Sequence, residues 1–208
     1  MRILAVVLPI LTLHHCGLVA VWAMPLDSSS PICQGLHSCG DHIQNQLQRQ
    51  VRRLNMSADH LFKTYVAFQE FNTEDVPALC NAHFSDFPGF NASETAQGKR
   101  AVGLYKVFVY LNTSLGNITQ QQRVLHPHAQ SLIDQLGNTT AIIKAVLSNL
   151  TCLLCNHFGV TEVDLYYGEP AHKIFEQKKK GCQVLNGYRQ FIADVARHPP
   201  VHSRSHGH

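Results

Sequence analysis

From Ile43 the apolar positions step by three or four: Ile43, Leu47, Val51, Leu54, Ala58, Leu61, Tyr65 and Phe68. That stepping puts them on one face of a helix of roughly 30 residues, about 45 Å long at 1.5 Å per residue. The rhythm returns in Val102, Tyr105, Phe108, Val109, Leu111 and Leu115, and again in Leu132, Leu136, Thr140, Ile143, Leu147, Leu150 and Leu154. A fourth series runs Ile174, Gly181, Leu185, Tyr188, Ile192 and Val195. Each predicted helix carries one apolar stripe and one polar face, so each must bury a side against the others. The fold class that follows is all-α, a four-helix bundle.

The connections predict its topology. "FNTEDVPALCNAHFSDFPGFNASETAQ" separates the first two helices by about 27 residues, where antiparallel neighbours need only roughly two to eight. A link that long can run the length of the bundle and make successive helices parallel. "GVTEVDLYYGEPA" leads to the fourth helix by a second long route, and Pro127 breaks the chain between the second and third. The expected arrangement is up-up-down-down, as in growth-hormone-like and cytokine bundles.

The chain opens with "MRILAVVLPILTLHHCGLVAVWA", one arginine before an apolar run that ends in small residues. This reads as a secretory signal, residues 1–23, cut after Ala23. No later stretch is expected to span a bilayer, because Lys106 interrupts the best candidate, "VGLYKVFVYL". About 185 residues remain, enough for one domain with a sizeable core, taken as 24–197. Of the 7 cysteines, Cys16 leaves with the signal. Cys33, Cys39, Cys80, Cys152, Cys155 and Cys182 remain, an even set in an exported chain, which implies three disulfides.

Six cysteines allow fifteen pairings, and topology narrows them. Cys33 and Cys39 precede the first helix, and Cys152 with Cys155 closes the third at the same end. Cys80 leaves the opposite end, near where Cys182 enters on the fourth. Two bridges at one end and one at the other are expected, each worth about 4–5 kcal/mol in the chain-entropy model. Asn55, Asn91, Asn112, Asn117, Asn138 and Asn149 each precede a Ser or Thr two places on, which in an exported chain predicts a glycoprotein with these positions facing solvent.

Chemistry is sparse. The net charge of +3 is dispersed and gives no nucleic-acid footprint. No G-x-S-x-G, H-E-x-x-H, P-loop or G-x-G-x-x-G occurs, so no catalytic residue, resident cofactor or enzyme activity is expected. "CLLC" could be a redox pair, but it ends a helix, where the dipole raises rather than lowers thiol pKa. The tail 198–208 holds His198, His202, His206 and His208. Such a cluster could bind a metal, but disorder is the default for it, so no metal site is assigned.

"KIFEQKKKGCQ" is the odd segment. Gly168-Glu169-Pro170 signals an approaching helix, yet Lys173, Lys178, Lys179 and Lys180 crowd an end where the macrodipole is already positive. Counting 100° per residue places Ile174 on the core stripe and Phe175 roughly 120° away from it. Phe175 then either packs beneath the link that holds Tyr166 and Tyr167, or stands outward beside Lys178 as an interface anchor.

"DFPGF" at Asp86, "VYLNTSLGNIT" at Val109, "LSNLTCLLC" at Leu147 and "FEQKKKGCQ" at Phe175, with the six cysteine positions, carry a resemblance. Over about Cys33 to Ala193 the chain is similar to the leukaemia inhibitory factor group of interleukin-6-class long-chain helical cytokines. That resemblance implies the pairs Cys33–Cys155, Cys39–Cys152 and Cys80–Cys182. It also implies that Phe175 and Lys178 bind the leukaemia inhibitory factor receptor. Gln46, Arg49, Arg53, Ala145 and Asn149 match a second surface, which takes the shared signal-transducing receptor subunit; a sugar on Asn149 would obstruct it. The implied function is a secreted, monomeric cytokine that drives JAK–STAT signalling in growth and differentiation. The competing expectations are a secreted helical carrier of an apolar ligand and a thiol oxidoreductase with Cys152 or Cys155 free.

Overall fold

Heptad-like stepping resolves into four long helices in a computed structural model that describes residues 29–34, 39–40, 42–81, 87–168 and 171–198. The predicted signal, residues 1–23, lies outside the described residues, as do His202, His206 and His208. In chain order the elements are a short strand β1 (Ser29–Pro31), α1 (Ile43–Gln69), a short α2 (Val76–Asn81), α3 (Gln97–Leu125) and α4 (Gln130–Cys152). A π-helical turn (Leu153–His157), strand β2 (Glu162–Asp164) and α5 (Ile174–Arg197) follow.

Side-chain bonds fix the directions. Gln69 at the end of α1 donates to Gln122 near the end of α3 (2.9 Å), so these two run parallel. The Tyr65 hydroxyl, late in α1, donates to the Lys178 carbonyl, early in α5 (3.0 Å), so those two are antiparallel. The Asn149 amide near the end of α4 donates to Gln50 near the start of α1 (2.9 Å), so this pair is antiparallel too. The result is the up-up-down-down bundle expected from the long links.

All three disulfides form between the pairs that the resemblance implied. Cys33–Cys155 and Cys39–Cys152 staple the segment before α1 to the end of α4, with Cα atoms 5.9 and 5.8 Å apart. Cys80–Cys182 joins α2 to α5 (Cα–Cα 5.1 Å). Both cysteines of the "CLLC" segment are thus bonded to partners outside it, which excludes a Cys152–Cys155 redox couple in this fold. β1 pairs antiparallel with β2, Ser30 opposite Val163, beside the first two bridges.

Large side chains fill the interior, with Tyr65, Tyr110, Tyr188, Phe108 and a column of leucines fully buried. Three sequence expectations need correction. Thr140 and Leu147, assigned to the core stripe of α4, are half-buried, and Thr139 and Val146 take the interior places. On α3 the core face holds Ala101, Leu104 and Val107, while Val102, Tyr105 and Val109 are half-buried. α4 with its π-turn, Gln130–His157, is also long and apolar enough to cross a membrane (mean hydropathy 1.3), contrary to the expectation that no later stretch would be. Here its stripe of Leu132, Leu136, Ile143, Val146 and Leu150 is buried within the bundle instead.

Candidate functional site

α5 begins without a side-chain cap: Lys173 is its N-cap residue in extended conformation (φ −84°, ψ 142°). Gln177 compensates, its side-chain amide reaching back to the Ala171 and His172 carbonyls (3.2 and 3.4 Å) and tying the entering link to the first turn. Glu176 supplies the one acidic group of that turn and lies 4.0 Å from Lys179.

One of the crowded cations, Lys178, has a partner in the neighbouring helix. Because α1 and α5 are antiparallel, the start of α5 lies beside the C-terminal carbonyls of α1, the negative end of that macrodipole. Lys178 Nζ donates to the Gln69 carbonyl (3.2 Å), while the Lys178 carbonyl accepts the Tyr65 hydroxyl. A lysine poorly placed on its own helix thus neutralises the free end of another. Gly181, one turn on, makes the approach possible: a Cβ there would fall 2.2 Å from the Tyr65 hydroxyl oxygen. Farther along, Arg189 binds Asp59 of α1 (3.0 Å) and covers the Phe62 ring (4.4 Å). Lys63 and Arg189 together hold the Asp59 carboxyl below the ordinary carboxylate range.

On this anchored turn Phe175 is 53% exposed, the outward alternative of the sequence reading. Lys178, three residues on, shares its flank and is half-buried. Ile174, expected on the core stripe, is instead 60% exposed. The stripe's geometry continues to the helix end, but there α3 stands across an open groove from Ile174 instead of packing over it. Tyr166 and Tyr167 in the preceding link are exposed as well, so the aromatic surface of this end exceeds what periodicity indicated.

Beneath the turn lies a polar layer that the sequence did not reveal. Gln69 and Gln122 are buried and bonded to each other, yet Gln69 Oε1 and Gln122 Nε2 lack partners, as does Nε2 of the nearby His126. Burial, with the Lys178 charge second, pushes the His126 pKa below its ordinary value, and Glu70 opposes the shift. Gln69 follows Leu61 and Tyr65 at four-residue spacing, and Gln122 follows Ile118 likewise; a glutamine continuing an apolar stripe was the available signal.

The second set of candidates falls on the face shared by α1 and α4. Arg49, Arg53 and Ala145 are exposed, and Gln46 and Asn149 half-buried. These are not one site with Phe175: Arg49 and Gln69 are separated by roughly 30 Å of helix at 1.5 Å per residue. Among the six sequon asparagines, Asn55, Asn91, Asn117 and Asn138 are exposed as expected. Asn112 and Asn149 are only half so; Asn112 Oδ1 is buried without a partner, and the Asn149 amide is engaged by Gln50. Among the described residues, no group of three His, Cys, Asp or Glu side chains could hold a metal. His198, assigned to the tail, caps α5 through its N–H to Asp194 O (3.0 Å), and its carbonyl accepts from Arg100.

A family model described as "LIF / OSM family" matches residues 42–198.

Proposed function

The chain belongs to the LIF / OSM family of cytokines, and from that premise we propose that it is a ligand of the leukaemia inhibitory factor type, built to bring two receptor chains together. Phe175 and Lys178 engage the leukaemia inhibitory factor receptor. Gln46, Arg49, Arg53, Ala145 and Asn149 engage the shared signal-transducing subunit. Juxtaposition of the two receptors then activates associated kinases and JAK–STAT signalling, while the ligand, a secreted and glycosylated monomer, performs no chemistry.

The observation that carries this reading is the exposed Phe175 ring at the start of a helix tied to α1 by the Lys178–Gln69 and Tyr65–Lys178 bonds and to α2 by the Cys80–Cys182 bridge. An aromatic anchor on a helix whose backbone is fixed before binding spares the cost of ordering that backbone on docking, which leaves more of its burial as affinity. Lys178 is half committed to holding α1 and α5 together, so its truncation confounds folding with recognition. Phe175 is the cleaner probe.

The test is binding of purified wild-type and Phe175→Ala chains to the soluble receptor ectodomain, with circular dichroism as the folding control. Loss of about 2 kcal/mol or more, roughly thirtyfold in Kd, is expected. Unchanged affinity in a folded variant refutes the assignment.

A further inference from the structure

Where α3 and α5 face each other across the link that carries Tyr167, they leave an open groove of about 510 Å³. Its size falls within the range of ligand sites, roughly 300–1,000 Å³. Its walls are more apolar than polar, and they include three side chains that folding leaves uncovered: Val124 (78% exposed), Ile174 and Tyr167. Gln120 and Gln121 supply amides along the same walls. The remaining feature is Asn117, which lines the groove, is exposed, and begins the sequon Asn117-Ile118-Thr119.

We infer that this groove is the seat of the Asn117-linked sugar, whose N-acetylglucosamine core folds back onto the protein. Attachment forms a bond from the Asn117 side-chain nitrogen to C1 of the sugar and breaks the C1–oxygen bond to the lipid diphosphate, which leaves with the electron pair, while the displaced amide proton goes to a base in solution. The first sugars therefore start at the groove wall with no linker to order. An N-acetylglucosamine ring has an apolar C–H face and an acetamido methyl that suit Tyr167, Val124 and Ile174, and a hydroxyl edge that suits glutamine amides. The occupant is covalently supplied at the site, which no free ligand or partner on the page is. Exposed sequons elsewhere, such as Asn138 on α4, lie outside this groove.

Seating a sugar here ties the link at Tyr167 to the first turn of α5, since Ile174 and Gln177 form part of the same walls. The inference rests on the secretory reading above, and the experiment separates the two. The full chain is expressed in mammalian cells as wild type, Asn117→Gln and Asn138→Gln. Peptide mass spectrometry gives occupancy, and hydrogen exchange is followed over 171–177.

Occupancy at Asn117, with exchange over 171–177 faster by about fivefold or more in Asn117→Gln and unchanged in Asn138→Gln, is the expected result. A second variant, Thr119→Ala, removes the sugar while keeping Asn117 and should reproduce the effect. Absence of sugar at every sequon would defeat the secretory reading itself. An unmodified Asn117 among occupied sequons, or equal exchange with and without its sugar, overturns the inference alone. Protection of the sugar-free variants that rises with protein concentration would assign the groove to a second copy and also overturn it.

Discussion

Gly181→Ala is the substitution on which the α1–α5 contact is most exposed to test. A Cβ at Gly181 would lie 2.2 Å from the Tyr65 hydroxyl oxygen and 2.7 Å from Cζ, distances that side chains never sustain. Tyr65 is fully buried, so its ring is hemmed in by its neighbours. Either α5 retreats or Tyr65 shifts and loses its bond to the Lys178 carbonyl. Overpacking of a filled core costs about 1–3 kcal/mol. Loss of the hydrogen bond adds about 1 kcal/mol. Alanine's better helix propensity returns about 1 kcal/mol. A net destabilisation of about 2 kcal/mol is expected, lowering Tm by roughly 4–8 °C for a chain of this size. Denaturant unfolding with disulfides intact measures it. The cycle with Tyr65→Phe localises the cause: removing the hydroxyl should recover part of the loss, though not all, because Cζ remains in the way. A Gly181→Ala protein as stable as wild type, or one that Tyr65→Phe does not rescue, refutes the close-contact argument.

Other outcomes follow from the same geometry. Replacing Cys80 and Cys182 together by alanine opens a 102-residue separation and should cost about 4–5 kcal/mol in urea unfolding under non-reducing conditions; a loss under about 1 kcal/mol would contradict the entropic account. The depressed His126 pKa means that the unfolded chain binds the proton more readily than the folded one. Its contribution to stability is therefore complete above the ordinary histidine value of 6.5 and is lost as pH falls from there toward the lower folded value. His126→Gln should flatten the stability profile in that window, and an unchanged slope would remove His126 as its source. The Phe175→Ala binding experiment completes the set.

Local rules made the long helices legible. α1 and α5 place apolar residues on one narrow stripe with polar residues opposite, so Leu47 to Tyr65 and Leu185 to Val195 were assigned inward correctly. α3 defeated the same rule because "VGLYKVFVYL" is apolar around much of its circumference; several faces satisfy the count, and only the neighbours choose among them. The three-residue strands and the helix Val76–Asn81 are too short to carry a period of their own. They exist because distant parts of the chain, β1 with β2 and Cys80 with Cys182, hold them. At the candidate site, the outward course of Phe175 was one of two readings left open by its angle from the stripe. The anchoring of Lys178 by Gln69 was hidden, since it joins residues 109 apart in sequence.

The staples at the end of α4 reach further than stability. A protease that severs the backbone anywhere between Cys39 and Cys152 yields two fragments that Cys33–Cys155 and Cys39–Cys152 still hold together. If the scission falls beyond Cys80, its bridge to Cys182 makes a third tether at the opposite pole. A nicked molecule would therefore migrate as an intact one on a gel until a thiol reagent is added. Clipping of the long crossover, by itself, would not release either half.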